Sequence, residues 1–278
     1  MMIRLIKSDF KRIFCDKLFL VVCILAVVFA VTIPLLYVVI FGAMDAIDEM
    51  TKELLSGYIT AKGQFFGALS FGNNLGLIAP LLIGIILFKD FSFGTVRNKI
   101  ISGHSRLSIF LSLFIVCFIA LFGIVLAHAL LTLAISLPFF DYQSTPFTLS
   151  DFWYFLESLL FQFLVYLFAA AFVSNLCVTK KNIGLVIVIY IAIVLGCTMI
   201  AGILQGVIMV ISTEPKMEKV VEILDFFQRI NVFNFSANIG LGSSYKVKDV
   251  CYYLITPIVF TLGLLGHGML TFSRKDLK

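Results

Sequence analysis

The sequence predicts an all-α protein, a polytopic membrane bundle of six transmembrane helices in one domain, residues 1–278. Hydrophobic side chains make up 61% of the 278 residues and charged ones 13%, about half the charged share of a soluble domain. The apolar residues gather in runs of about 20 or more, enough for a helix to cross about 30 Å of hydrocarbon. These runs do not alternate with polar residues, which excludes the strands of a membrane barrel.

The six predicted spans cover roughly residues 18–43, 66–88, 108–137, 153–178, 183–211 and 251–272. The first apolar run is too long for the core of a signal peptide and lacks a small-x-small cleavage site, so we expect it to remain as an anchor. Pro34, Pro80 and Pro257 lie within these runs, and each is a potential helix break.

Residues 1–17, ahead of the first span, form a predicted amphipathic helix. Its apolar residues at helical spacing are Ile3, Ile6, Phe10 and Ile13, and its cations on the opposite side are Arg4, Lys7, Lys11 and Arg12. This pattern is typical of a helix that lies in the membrane interface. A basic anchor that only sets orientation fits the same residues.

The lysines and arginines are divided unequally between the two sides of the predicted bundle. The side that holds both termini receives 14 of them and the other side 7. Because positive charge marks the cytoplasmic side, both termini are predicted to be cytoplasmic.

Residues 89–107 form the cytoplasmic loop between the second and third spans, and 89–106 read KDFSFGTVRNKIISGHSR. Phe93, Val96 and Ile100 are spaced like one face of a short helix from about Gly94 to Ser102. Gly103 is a C-terminal stop signal, and Ser105 is placed to cap the next span. An ordinary loop whose cations serve only the topology is the alternative interpretation.

The run Asp90-Phe-Ser-Phe-Gly94-Thr95-Val-Arg97-Asn, followed by Ile101-Ser-Gly-His-Ser-Arg106, resembles the inner loop of type-2 ABC transporter permeases. The resemblance implies a coupling helix that docks in a groove of a separate ATPase. It implies that Val96 and Ile100 fill this groove and that Arg97 meets an acidic group at its edge. The implied coupling residues are Asp90, Phe93, Gly94, Thr95, Val96, Arg97, Ile100, Gly103 and Arg106.

The chain contains no GxxxxGK[ST] motif, so ATP and magnesium are expected on the partner ATPase and the chain itself is not expected to be an enzyme or to hold a cofactor. The resemblance implies two permeases, identical or paralogous, with two ATPases in a bacterial cell membrane. It is greatest to Gram-positive permeases that export amphipathic peptides, including phenol-soluble modulins, so a peptide is the expected substrate. Small drugs or lipids remain alternative substrates, and an ion-coupled carrier or a membrane-embedded enzyme are alternative classes. No nucleic-acid partner is expected.

Residues 212–250 form the one long predicted extracellular segment. Val220, Ile223, Leu224 and Phe227 share a face of a predicted amphipathic helix. The uncharged stretch NVFNFSANIGLGSS after it has two interpretations, a segment that re-enters the outer leaflet under cover of other helices and a lid outside the membrane.

Three ionisable residues lie within the predicted spans, and such residues are functional candidates because their burial in lipid is costly. His128 and Glu157 are both predicted near the outer end of the bundle, whereas His267 is predicted near the inner end. Shared depth allows His128 and Glu157 to meet, and two separately satisfied polar groups are the alternative interpretation. The six cysteines are scattered singly and predict neither a disulfide framework nor a metal site. Two GxxxG motifs, at Gly72 and Gly76 and at Gly202 and Gly206, predict close helix approach.

Overall fold

The computed structural model describes residues 2–42, 60–92, 94–143, 146–212, 217–242 and 244–275. These residues form helices and connecting turns and contain no strand. The helices, in chain order, are α1 (Met2–Cys15), α2 (Lys17–Gly42), α3 (Ala61–Leu69), α4 (Asn74–Ser92), α5 (Thr95–Ile101), α6 (Arg106–Ser136), α7 (Leu149–Thr179), α8 (Ile183–Ile211), α9 (Glu218–Ile230), α10 (Val232–Phe235) and α11 (Val247–Arg274). A short 3₁₀ turn, Ser236–Asn238, follows α10.

Six helices, α2, α4, α6, α7, α8 and α11, are long and apolar enough to cross a membrane, as the sequence predicts. The predicted second span was wrong at its start, because residues 61–69 form the separate helix α3 and α4 begins at Asn74. A turn divides the two helices, and in it Asn73 donates an amide hydrogen bond to the Gly67 carbonyl oxygen at 3.2 Å. The same carbonyl oxygen also accepts from the Ser70 N–H at 3.2 Å, so both bonds close the last turn of α3.

The three prolines do not break the helices in which they lie. Pro34, Pro80 and Pro257 each lie inside a continuous helix, α2, α4 and α11 respectively. Membrane helices tolerate proline because neighbouring groups and small local adjustments satisfy the freed carbonyl.

Helices α6 and α7 form the centre of the bundle. In their most apolar stretches 61% and 67% of the residues are buried, against 17% in α8 and 22% in α11. The outer faces of α8 and α11 are therefore available for lipid or for another chain.

The segment after α9 enters the bundle instead of lying over it as a lid. Ser236 is fully buried, and its hydroxyl accepts from the Phe71 N–H at 2.8 Å and donates to Gln162 Oε1 at 3.0 Å. Phe233 contacts the ring of Phe168 at a centroid distance of 5.3 Å, about 28 Å along α7 from its first residue at 1.5 Å per residue. The re-entrant interpretation therefore fits the fold, because α8 and α11 pack against α10 and the Gln162 amide of α7 donates to the Ser236 carbonyl oxygen at 2.9 Å.

The two GxxxG motifs behave differently. A β-carbon on Gly76 would lie 2.2 Å from the Ser70 carbonyl oxygen, whereas at Gly72 the nearest atom is 3.9 Å away. At Gly202 and Gly206 a β-carbon would meet no atom within 4 Å. Because the same β-carbon would lie 2.7 Å from the Tyr166 hydroxyl of α7, close helix approach is confirmed at Gly76, and it is not formed at the second motif within the described chain.

Candidate functional site

Both ends of the described chain lie at one end of the bundle, which we call the inner end. There α1 packs against α2, α4 and α6, and α5 packs against α4 and α6. Lys275, just after α11, donates to the Val178 carbonyl oxygen of α7 at 2.6 Å. The segment that resembles a coupling helix contacts α1 through Lys99, and it contacts α11 through Phe91 and Arg106.

The short helix α5 is bounded by two glycines in the left-handed region, Gly94 with φ +73° and Gly103 with φ +84°. At its end the Gly103 N–H donates to the Ile100 carbonyl oxygen at 2.9 Å, and the His104 N–H donates to the Lys99 carbonyl oxygen at 3.1 Å. This pair of bonds is the Schellman motif, which favours glycine after the cap. The predicted helix and its glycine stop are confirmed.

The start of the following span is also as predicted. The Ser105 hydroxyl accepts from the Ser108 N–H at 3.2 Å, and α6 begins at the next residue, Arg106. This cap satisfies one of the free N–H groups at the start of α6. The chain therefore passes from α5 into the third span within four residues.

The inward face of α5 differs from the face expected to meet a partner. Val96 is 1% exposed and belongs to the core, and Ile100 packs against that core. The expectation that these two side chains fill a groove of an ATPase was therefore wrong for Val96, because its contacts are made within the chain. Arg97 and Ile101 lie on the outward face, and Ile101 is 74% exposed.

Three further predicted coupling residues, Thr95, Phe93 and Asp90, differ in their positions. Thr95 begins α5 and is half-buried. Phe93 lies outside the described residues. Asp90 is 2% exposed and forms an ion pair with Arg12 of α1. Asp90 is thus an internal partner for α1, which corrects its predicted role at the docking surface.

A buried carboxylate on α1 holds α5 in place. Asp9 is 1% exposed, and its Oδ1 accepts from Lys99 Nζ of α5 at 2.5 Å while its Oδ2 accepts from the Ser112 hydroxyl of α6 at 2.8 Å. Arg12 lies 3.9 Å from the same carboxylate. One side chain therefore joins three elements, because each of its two oxygens has its own donor.

Sequence reasoning missed Asp9 because it divided α1 into one apolar and one cationic face. The buried residues of α1 are Leu5, Asp9 and Ile13, which recur every four residues and so lie on one stripe. An acid flanked at this spacing by two apolar residues was the available signal. A charge on a buried stripe needs a partner, and here Lys99 of α5 is the one that bonds to it directly.

Burial and pairing oppose each other in this network. Burial lowers the pKa of Lys99, and the hydrogen bond to Asp9 partly offsets that effect. Burial also lowers the pKa of Arg12, against the attraction of Asp9 and Asp16. At Asp16 burial acts to raise the pKa, but the bonds from Lys89 and from the Leu18 N–H outweigh it and the pKa is lowered. The carboxylates thus offset the cost of burying these cations.

Arg106 is also engaged within the chain. Its Nη1 lies 2.7 Å from the Lys275 carbonyl oxygen, 2.9 Å from that of Ser273 and 3.2 Å from that of Phe272. A cation at the C-terminus of a helix satisfies its free carbonyl groups and its dipole. Arg106 therefore ties the start of α6 to the end of α11, a different role from the predicted contact with a partner.

The predicted meeting of His128 and Glu157 was wrong. His128 is fully buried, with its Nδ1 2.9 Å from the Ala26 carbonyl oxygen of α2, whereas Glu157 lies on an exposed face of α7. α6 turns His128 towards α2 and α3, where with Gln64 and Thr132 it lines a cavity of about 40 Å³. His267 is separate from both, as predicted, and its Nδ1 lies 3.0 Å from the Asn175 amide nitrogen.

The outer helix α9 is amphipathic, but its predicted apolar face does not pack into the chain. Ile223 is 57% exposed and Phe227 58%. Polar contacts attach α9 to the rest of the chain, including Gln228 to the Ala201 carbonyl oxygen at 3.2 Å and an ion pair of Arg229 with Asp249. Between α9 and α11 lies a largely apolar groove of about 690 Å³.

Within the described residues no three metal-ligating side chains come together, and the six cysteines are free thiols. Comparison with family models, with curated proteins and with solved structures returned no match.

Proposed function

We propose that this chain is the membrane-spanning permease subunit of an ATP-driven exporter and that α5 is its contact with a separate ABC-type ATPase. The supporting observation is how α5 is held: this two-turn helix is bound to the rest of the chain on one side and is exposed on the other. Lys99 on its inner side is bound to buried Asp9. Arg97 and Ile101 on its outer side are exposed. A helix held in this way passes a force from a partner to the spans instead of yielding to it.

The proposed contact is tested by co-expressing the chain with the ABC ATPases encoded in the same genome and measuring their co-purification in detergent. Arg97→Glu with Ile101→Ala removes the cation and the apolar group from the free face. A buried isoleucine contributes about 1.5 to 3 kcal/mol, so we expect the association to weaken by at least about tenfold. The thermal melt of the permease alone should not change, because both side chains are exposed.

The matched control is Leu270→Ala with Arg274→Glu on α11. These residues have the same i, i+4 spacing, Leu270 is 61% exposed and Arg274 is exposed. We expect the control to retain the ATPase. Failure of every ATPase to bind the wild-type chain, or equal binding by the wild type and the α5 variant, would contradict the proposal.

The proposed substrate class is an amphipathic peptide. The groove between α9 and α11 supports this class because it presents apolar side chains of α11, including Ile255 and Val259, beside the charged residues Glu222 and Lys248. Ile255→Trp with Val259→Trp would narrow the groove. We expect this variant to bind the ATPase normally but to export less of a fluorescent amphipathic peptide from cells. Unchanged export would exclude the groove as the peptide's site.

An ion-coupled carrier is the second candidate. The interruption between α3 and α4, beside the cavity at His128, favours it because broken helices near polar groups form the ion sites of many carriers. Transport that continues without an ATPase and stops when the proton gradient is collapsed would identify this class.

A further inference from the structure

The exposed surface of α1 has two distinct parts beside its buried stripe. Successive residues of an α-helix are rotated by about 100°, which places Ile3 and Phe14 side by side on one part and Arg4, Lys7 and Lys11 on the next. Ile3 is 81% exposed and Phe14 51%, and the three cations are exposed as well. Around the helix axis, the stripe buried against the bundle is therefore followed by an exposed apolar surface and then by an exposed cationic surface.

The cationic surface has no acid of its own. Residues 1–20 contain two acids, Asp9 and Asp16, and both are paired with lysines of other elements, Lys99 and Lys89. In the described chain none of the three surface cations of α1 makes a hydrogen bond or an ion pair. The internal pairing of the acids leaves a face of unneutralised positive charge.

We propose that this face binds the headgroups of anionic phospholipids, with Arg4, Lys7 and Lys11 on the phosphates and the adjacent apolar surface among the acyl chains. The exposed apolar surface favours a lipid over an acidic protein, because it lies directly beside the cations and points away from the bundle. A basic amphipathic helix binds a membrane surface through its apolar side chains and through its cations. Each cation near an anionic surface strengthens the attraction by about fivefold.

This lipid site has a consequence for α5. Asp9 and Arg12 join α1 to Lys99 of α5 and to Asp90 at the end of α4, so a headgroup-bound α1 holds both elements against the membrane surface. That consequence rests on the function proposed for α5. The lipid binding itself does not depend on it.

The test uses the full-length chain in mixed micelles that contain equal amounts of phosphatidylglycerol and phosphatidylcholine, with the retained lipids counted by native mass spectrometry. We expect the wild type to retain phosphatidylglycerol in preference, and the triple variant Arg4→Gln, Lys7→Gln, Lys11→Gln to lose that preference by at least about tenfold. The thermal melt of the variant in phosphatidylcholine alone should match the wild type.

The matched control replaces three other cations of the inner end, Lys180, Lys181 and Arg274, with glutamine. It should keep the preference for phosphatidylglycerol. No preference in the wild type, or an equal loss in the control, would overturn the proposal. A triple α1 variant that keeps its lipid preference but no longer co-purifies with an ATPase would identify the cationic face as a protein-docking surface, and the lipid assignment would be wrong.

Discussion

Replacing Asp9 with asparagine should destabilise the protein more than any other charge-removing change at the inner end. The asparagine side chain keeps the shape of aspartate but loses its charge, and Lys99, whose side chain is 12% exposed, then remains buried without a counter-ion. Removal of one partner from a buried ion pair costs about 3 to 5 kcal/mol. Because asparagine still offers one carbonyl oxygen to Lys99 or Ser112, we expect a loss near the lower limit, about 3 kcal/mol.

This loss is measured by thermal melting of the purified chain in detergent. For a protein of this size about 3 kcal/mol corresponds to a decrease of about 6 °C or more in Tm. Lys99→Gln should also destabilise the chain, but the double variant should be less destabilised than the sum of the two, by at least about 1 kcal/mol. The reason is that the second substitution removes the charge that the first one left unpaired.

The pair formed by Asp16 and Lys89 is the matched control. Its side chains are 17% and 33% exposed, and its Nζ to Oδ2 distance is 2.7 Å. Water screens such a pair, so Asp16→Asn should cost only about 0 to 1 kcal/mol. Asp9→Asn as mild as Asp16→Asn, or full additivity with Lys99→Gln, would refute the view that the Asp9 carboxylate holds α5.

Three further predictions follow from other contacts. Arg106→Gln should lower the stability by about 1.5 to 3 kcal/mol in the same melt, because a charged donor to three carbonyl oxygens is lost, and an unchanged Tm would show that water replaces it. The pKa of Asp16 is lower in the folded chain than in the unfolded chain, where it is near 3.9. Asp16 therefore stabilises the fold above the unfolded pKa, and this stabilisation is lost as the pH falls through the lower folded pKa. Asp16→Asn should make Tm less sensitive to pH between about 5 and 2. Gly76→Ala should reduce the yield of folded protein, because its β-carbon would lie 2.2 Å from the Ser70 carbonyl oxygen, whereas Gly202→Ala should be neutral in a fluorescence size-exclusion assay; equal yields would contradict this reading of the two motifs.

The long elements were predictable from the sequence because a helix that crosses a membrane needs an uninterrupted apolar run. The start of α4 was missed because the run 66–88 is apolar on average, which conceals the turn residues of the stretch SFGNN at 70–74. The turn itself depends on polar bonds such as that of Asn73 to the Gly67 carbonyl group. The burial of Ser236 was also not predictable from the sequence, because its hydrogen-bond partners Phe71 and Gln162 are far away along the chain.

At the inner end the sequence predicted where α5 begins and ends but not which way it faces. Gly94 and Gly103 are required by the backbone alone, which a local pattern can indicate. The orientation depends on Asp9, whose role appears only when α1 is placed beside α5. Similarly, His128 and Glu157 were matched by depth, but depth does not determine the direction in which a residue points around its helix.

Under the proposed function, the inward orientation of Asp90 and Val96 gives the segment after α4 a mechanical role. A docking helix held only by its own loop would move without the spans. In this chain Lys99 is bound through Asp9 to both α1 and α6, and the junction between α1 and α2 is bound through Asp16 to Lys89 at the end of α4. If a partner displaced α5, these bonds would therefore move α2, α4 and α6 together with it. If the proposed function is right, rigidity at this end transmits a contact with the two-turn helix to three membrane spans.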